Sequence, residues 1–296
     1  MANRLKTTEY GIKKKAGAKA VYMLLGPTGV GKTETVKALS QLLRTNQQLI
    51  RIDMGEYKEA HMASKILGSP PGYVGYDNNL NVLEIISKNP DSFILIDEIE
   101  KAHPSVVDLF LHMFDEGKAK SSHQKTVDLS NNVFFITSNI GAEEKAKNVI
   151  GFSKDSEPEN KVYLKSLKKH FRPEFINRIN ETVIFNSLTY ESVYDILNLQ
   201  LREMEMAFLE EKDIKLNITL TNEAYLYLIN GMDYSTYGAR EIKRTIEKYI
   251  LNGVIDYLIN TNSKEVDLIF DIEETELLLK PIKKEIMKKQ LTYNKI

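Results

Sequence analysis

The run Gly26-Pro27-Thr28-Gly29-Val30-Gly31-Lys32-Thr33 constrains this chain more than any other feature. It fits the spacing G-x-x-x-x-G-K-[ST] and lies between an apolar run, Val21-Tyr22-Met23-Leu24-Leu25, and a segment of helical character at residues 34–43. Strand, glycine-rich turn and helix, in that order, let backbone N–H groups converge on phosphate oxygens at a helix N-terminus. Lys32 would then reach the β- and γ-phosphates of a nucleotide, and Thr33 would offer its hydroxyl to Mg²⁺. The competing reading, a glycine-rich turn that merely contains Lys-Thr, has both the spacing and the context against it.

A second apolar run, Phe93-Ile94-Leu95-Ile96, ends in Asp97-Glu98. Four consecutive apolar residues suit a strand buried on both faces, as a parallel sheet demands, and its carboxyl end is where ligands bind in open α/β sheets. This is a Walker B pattern: Asp97 would hold Mg²⁺ through water, and Glu98 would orient or deprotonate an attacking water. A third run, Val133-Phe134-Phe135-Ile136-Thr137-Ser138, ends in Asn139. That amide could position the lytic water between the other two strand ends, or it could simply cap the next turn.

Seven strings now occur in one order over residues 21–280: GPTGVGKTE (26–34), IDMGEY (52–57), GSPPGYVGYD (68–77), ILIDEIEKAHP (94–104), TSN (137–139), FRPEFINRI (171–179) and YGAR (237–240). Together they resemble the second, C-terminal ATPase module of the Clp family of AAA+ protein unfoldases, in its peptidase-associated branch. The resemblance implies ATP as substrate, Mg²⁺ as cofactor, a homo-hexameric ring, protein substrates threaded through its axis, and a cytoplasmic setting. The fold it implies is α/β, a P-loop AAA+ large subdomain with a parallel doubly wound sheet and a small α+β C-terminal lid.

Residue by residue, Arg178 matches the family's arginine finger, a guanidinium that stabilises charge on the γ-phosphate of a neighbouring subunit. Arg172 is the weaker competitor for that role. Arg240 matches the second sensor on the small subdomain. Each arginine has the ordinary surface charge as its alternative. Gly72-Tyr73-Val74-Gly75 matches the first pore loop: glycines give the backbone freedom, and Tyr73 with Val74 offers apolar contact to almost any side chain. Read without the family, it is a turn with an exposed tyrosine after Pro70-Pro71. Ile150-Gly151-Phe152, an apolar tripeptide in the otherwise polar stretch 142–163, matches the segment that docks on a barrel-shaped Clp-type serine peptidase. Its alternative is that Ile150 and Phe152 pin the loop to the body.

Two departures from the family pattern stand out. Only 25 residues precede Gly26, so the upstream adenine-contacting box is represented at most by residues 8–12. A non-catalytic partner or fragment subunit is therefore one alternative function, and a disaggregase without peptidase is another. The second pore loop, between Gly117 and Val127, lacks the usual glycine turn and reads as a basic loop.

Composition supports this reading. The chain has 296 residues, 42% hydrophobic, at a formal net charge of −1, enough for two cores and without the basic excess that nucleic-acid binding would leave. Zero cysteines exclude disulfides and thiolate metal sites. No apolar stretch reaches the roughly 18 residues of a membrane span, so no membrane partner is expected.

The expected organisation is an N-terminal remnant at 1–20, the large subdomain at 21–187, the small one at 188–281 and a charged tail at 282–296. Helices are expected at 80–88, 105–116, 188–212, 222–229 and 239–260. Strands are expected at 215–220, 265–270 and 276–279.

Overall fold

The computed structural model describes residues 17–43, 49–68, 81–122, 124–142, 159–273 and 276–281. Contacts divide the chain into two compact units, one running to Asn186 and one from Ser187, with residues 28–30 grouped with the second.

The first unit opens with β1 (Ala20–Leu25) and α1 (Lys32–Leu43), then β2 (Ile50–Asp53), α2 (Ala63–Leu67), α3 (Val82–Lys88), β3 (Phe93–Asp97) and α4 (Pro104–Glu116). It continues with β4 (Lys118–Lys120), β5 (Thr126–Asp128), β6 (Val133–Ser138), α5 (Glu159–His170), α6 (Pro173–Ile176) and β7 (Glu181–Ile184). Among the described residues its main sheet runs β2-β3-β6-β1-β7, with every neighbouring pair parallel.

Side chains alternate between the faces of a strand, so each apolar run feeds two cores. Val21, Met23 and Leu25 of β1 join Ile94, Ile96, Phe134 and Ile136 on one face, where Val106, Phe110, Met113 and Phe114 of α4 cover them. Ala20, Tyr22 and Leu24 join Phe93, Leu95, Val133 and Phe135 on the other, beneath Val36 of α1. Aromatic rings lock both layers: Phe114 meets Phe134 edge-on at 5.0 Å, and Tyr22 stacks on Phe135 at 5.4 Å. Burial on both faces is why these strands read as unbroken apolar runs.

Several expectations are corrected. The basic stretch after Gly117 is a hairpin: β4 and β5 pair antiparallel, with Ala119 and Val127 turned inward and Lys118 and Lys120 outward. The long polar stretch expected to reach residue 163 ends earlier, because α5 starts at Glu159 and buries Val162 and Tyr163. Helix α4 starts at Pro104, whose missing N–H costs nothing in a first turn, with the His103 ring accepting from the Ser105 N–H. Helix α3 starts after Asn81, whose side chain caps the Glu84 N–H at 2.9 Å.

The second unit comprises α7 (Tyr190–Lys212), β8 (Lys215–Leu220), α8 (Asn222–Asn230), α9 (Tyr234–Tyr237), α10 (Ala239–Ile246), α11 (Asn252–Thr261), β9 (Glu265–Glu273) and β10 (Glu276–Pro281). β8 and β9 are parallel and β10 returns antiparallel. Val193, Leu197 and Leu201 of α7 pack with Leu216, Leu220, Leu228, Ile246, Val254 and Phe270 in its core, an α+β arrangement. The helix expected over 239–260 is interrupted by a π-turn at Glu247–Leu251, although the backbone stays helical at both junctions. Strands β9 and β10 each run beyond their expected ends. Among the described residues no helix is long and apolar enough to cross a membrane.

Candidate active site

Strand order assembles the site. β6 lies between β3 and β1, and the register pairs Ile96 with Ile136 and Leu25 with Ser138, so the carboxyl ends of all three strands come out side by side. Gly26, Asp97-Glu98 and Asn139 follow them directly, in the crevice position where open α/β sheets bind ligands.

The turn from Gly26 to Gly31 joins β1 to α1. Gly26 has φ +150, and a Cβ there would stand 2.7 Å from the Phe185 carbonyl oxygen, because the chain beyond β7 hydrogen-bonds alongside it, Phe185 N–H to Leu25 O. Gly31 has φ +94 and open space where a Cβ would be. Both glycines permit backbone that L side chains rarely adopt. Thr28, Gly29 and Val30 form the partly exposed turn between them.

Lys32, the first residue of α1, is 8% exposed. Its ammonium donates 2.7 Å hydrogen bonds to the Gly26 and Pro27 carbonyls and to Asn139 Oδ1. The next residue, Thr33, places its hydroxyl 3.3 Å from Asp97 Oδ1. A hydroxyl beside a carboxylate is a hard-oxygen pair suited to Mg²⁺, which keeps several waters and takes one or two protein oxygens plus phosphate. No cluster of three or more His, Cys, Asp or Glu among the described residues competes for a metal. The donor set and the open cradle at Gly31 both fit Mg²⁺ with a nucleotide.

Asp97 is buried and fully engaged. Thr137 Oγ1 donates to Oδ1, while Arg51 of β2 directs Nε and Nη2 to Oδ2 at 3.0 and 2.7 Å. Thr137 in turn accepts the Glu98 N–H at 2.9 Å. Glu98 is held at φ 57, ψ 55, a left-handed conformation that costs a non-glycine residue about 1 kcal/mol or more and persists where surrounding structure fixes it. This kink ends β3 and turns the carboxylate toward Asn139, whose Nδ2 lies 3.3 Å from Glu98 Oε1. Lys101 closes the other side, with Nζ 2.5 Å from Glu98 Oε2. That hydrogen bond holds the Lys101 ammonium above the ordinary lysine range. Asn139 is oriented from behind by its own N–H, which donates to Glu100 Oε1 at 2.9 Å.

Lys32, Thr33, Asp97, Glu98 and Asn139 are thus brought together. Arg178 is not among them: it is exposed after α6 and pairs with Asp115 at 2.8 Å. Arg172 pairs with Asp108 at 3.4 Å. Arg240 is exposed in the first turn of α10, in the second unit. Gly72, Tyr73, Val74 and Gly75, and likewise Ile150, Gly151 and Phe152, lie outside the described residues. Arg51, Lys101 and Glu100 escaped sequence reasoning, although all three sit within strings already singled out or next to one.

Residues 18–182 match the family described as AAA domain (Cdc48 subfamily), and residues 188–270 match the C-terminal, D2-small domain of ClpB protein. The chain belongs to the Clp-type AAA+ ATPases. Chaperone protein ClpB of Aquifex aeolicus is 40% identical to this Clp module over 290 residues, covering 95% of the module and 28% of the relative. Negative regulator of genetic competence ClpC/MecB of Bacillus subtilis is 36% identical, covering 95% and 35%. The ATP-dependent Clp protease ATP-binding subunit ClpE of the same organism is 39% identical, covering 88% and 37%. The chain therefore spans about a third of the length of these curated relatives. A closed-state cryo-electron-microscopy structure of Hsp104 with ATPγS and FITC casein matches it at a TM-score of 0.82 and 34% identity, over 95% of this chain and 48% of that one. These matches correspond to a C-terminal ATPase module of a Clp ATPase.

Proposed function

We propose that this Clp module hydrolyses ATP with Mg²⁺ and that, in a hexameric ring, the hydrolysis drives the unfolding and threading of protein substrates. The observation that carries the reading is the convergence of Lys32, Thr33, Asp97, Glu98 and Asn139 at three adjacent strand ends. Glu98 is the group placed to take a proton from the attacking water, and Asn139 holds its carboxylate on one side while Lys101 holds it on the other. Lys32 and the backbone N–H groups of the turn bind the β- and γ-phosphates. Mg²⁺, held by Thr33 and Asp97, would supply charge neutralisation of the phosphates. Arg178, exposed and paired with an exposed Asp115 in its own subunit, would exchange that weak surface pair for a neighbour's γ-phosphate. Arg240 is assigned the second-sensor role, and Tyr73 between Gly72 and Gly75, with Val74, the grip on substrate.

Delivery to a separate Clp-type serine peptidase is the finer reading, supported by the Ile150-Gly151-Phe152 tripeptide and by similarity to ClpC and ClpE. Action as a disaggregase without peptidase is the second reading, favoured by similarity to ClpB and Hsp104. Incubating the purified protein and ATP with an unstable fluorescent substrate, with and without a Clp-type peptidase, separates them. Peptidase-dependent loss of the substrate that disappears in Ile150→Ala supports delivery. Recovery of aggregated substrate with no effect of the peptidase supports the disaggregase reading.

A further inference from the structure

The paired residues of β3 and β6 end at Ile96 and Ile136, but the two chains stay joined beyond that point. Two side-chain hydrogen bonds continue the connection, one contributed from each side. Thr137 Oγ1 accepts the Glu98 N–H at 2.9 Å, and Glu100 Oε1 accepts the Asn139 N–H at 2.9 Å. The left-handed backbone at Glu98 turns the chain out of the sheet and into the short helical turn Ile99–Lys101, which carries Glu100. A carboxylate from that turn thus reaches a backbone donor 39 positions further along the chain. Leaving such a part-buried donor unpaired is costly. Among the described residues this is the one hydrogen bond that Glu100 makes: its other oxygen, Oε2, is buried without a partner, and the neighbouring Lys101 goes to Glu98 instead. A half-satisfied carboxylate in such a place calls for an explanation.

We infer that Glu100 is a positioning residue for hydrolysis: by holding the Asn139 backbone it aligns the carboxamide that lies between Lys32 and Glu98. This rests on the ATPase reading proposed above. The carboxamide has a partner at each end, Lys32 Nζ on Oδ1 at 2.7 Å and Glu98 Oε1 on Nδ2 at 3.3 Å. An asparagine side chain has a single methylene, so a shift of the Asn139 backbone is passed on to both ends of the amide. Misplacement of a reacting arrangement by about 1 Å costs on the order of 100-fold in rate. The loss should fall on turnover and spare nucleotide binding, because Lys32 keeps its bonds to the Gly26 and Pro27 carbonyls whatever happens at Asn139. Glu100 itself is not among the groups proposed to touch the nucleotide.

The test combines steady-state ATPase kinetics with binding of a fluorescent ATPγS derivative, on the full chain, with thermal melting of each variant. The set is wild type, Glu100→Ala, Glu100→Gln, Asn139→Ala and the double variant Glu100→Ala with Asn139→Ala. Glu100→Ala is expected to lower kcat about tenfold, with nucleotide affinity changed by less than about twofold. Glu100→Gln keeps an acceptor oxygen at the same reach without the charge, and should recover most of the rate. The double variant separates positioning from a merely structural role. If Glu100 acts through Asn139, the double variant turns over at the rate of Asn139→Ala alone. Independent effects would multiply and place it about tenfold lower. That result overturns the inference, as does a normal kcat in Glu100→Ala. If Glu100→Ala does not fold, Glu100→Asp, one methylene shorter and so drawn back from the Asn139 N–H, carries the comparison. Absence of ATP turnover in the wild type overturns the ATPase reading itself, and the inference with it.

Discussion

Asn139 joins Lys32 to Glu98: its Oδ1 accepts a 2.7 Å hydrogen bond from the Lys32 ammonium, which turns its Nδ2 toward Glu98 Oε1 at 3.3 Å. One carboxamide thus couples the lysine proposed to bind phosphate to the carboxylate proposed as the base. Asn139→Ala is expected to lower turnover by about 100-fold while nucleotide affinity changes little, since a positioned polar group at a reacting centre acts mainly on the transition state. Asn139→Asp keeps the acceptor for Lys32 but places a second carboxylate beside Glu98. The added negative charge beside Glu98 repels the carboxylate from its position, so turnover is expected to fall in this variant too. Steady-state rates, with nucleotide binding measured in parallel, check both.

Glu98→Gln keeps the size and the hydrogen-bonding reach of the side chain but cannot take a proton. It is expected to abolish turnover with ATP binding retained. Because the left-handed backbone at Glu98 is fixed by Thr137 and the turn, the variant should melt near the wild-type temperature. Normal turnover in it would remove Glu98 from its assigned role.

Gly26→Ala and Gly31→Ala should separate packing from function. A Cβ at Gly26 meets the Phe185 carbonyl oxygen at 2.7 Å and the Phe185 Cβ at 2.9 Å, both fixed alongside β1. Clash and backbone strain together predict a loss of about 3 kcal/mol, read by urea unfolding. At Gly31 nothing lies within 4 Å, and only the strain of φ +94 remains. Its cost is about 1–2 kcal/mol, and the larger effect should be on nucleotide affinity.

In the second unit, Tyr225 packs its ring 4.6 Å from Tyr194 and donates its hydroxyl to Asn198 Oδ1. Burial, the leading cause, pushes its phenol up to about 12 from the usual 10. The folded unit therefore holds the proton longer than the unfolded chain does. Its contribution is intact below pH 10 and is lost as pH rises from 10 toward about 12. Unfolding midpoints measured from pH 9 to 12 should fall less steeply in Tyr225→Phe than in wild type.

The parts of the site that were legible in the sequence are those carried by long apolar runs. Residues 21–25, 93–96 and 133–138 read as buried strands because both faces of each are covered, and the polar residues after the runs line the candidate site. Ile50-Arg51-Ile52-Asp53 was not legible as a strand: it is only four residues long, and its two isoleucines alternate with charged residues. Its key contact, to Asp97, spans 46 positions and depends on sheet order, which no local pattern carries. Lys101 was missed for a different reason. A lysine three residues after a glutamate ordinarily reads as a solvated pair, and nothing local in the sequence signals the left-handed turn at Glu98 beside which Lys101 meets its carboxylate. Helix α5 was hidden by its lysines, which leave Val162, Tyr163 and Leu167 as a sparse apolar stripe.

In the proposed ring the ATPase site is shared between subunits, and Arg178 is the residue that exposes this most clearly. Its pair with Asp115 is exposed on both sides, so Arg178→Ala should alter stability by less than about 1 kcal/mol. Its loss should nevertheless abolish turnover if the guanidinium serves a neighbour. The most direct measurement is ATPase rate against protein concentration, with mass by light scattering in the same ATP buffer, for wild type and Arg178→Ala. The expected result is a wild-type rate that rises cooperatively as hexamers form, and Arg178→Ala hexamers that bind ATP without turning it over. A wild-type rate per subunit that is constant with concentration in a monomer, or normal turnover by Arg178→Ala, would contradict it.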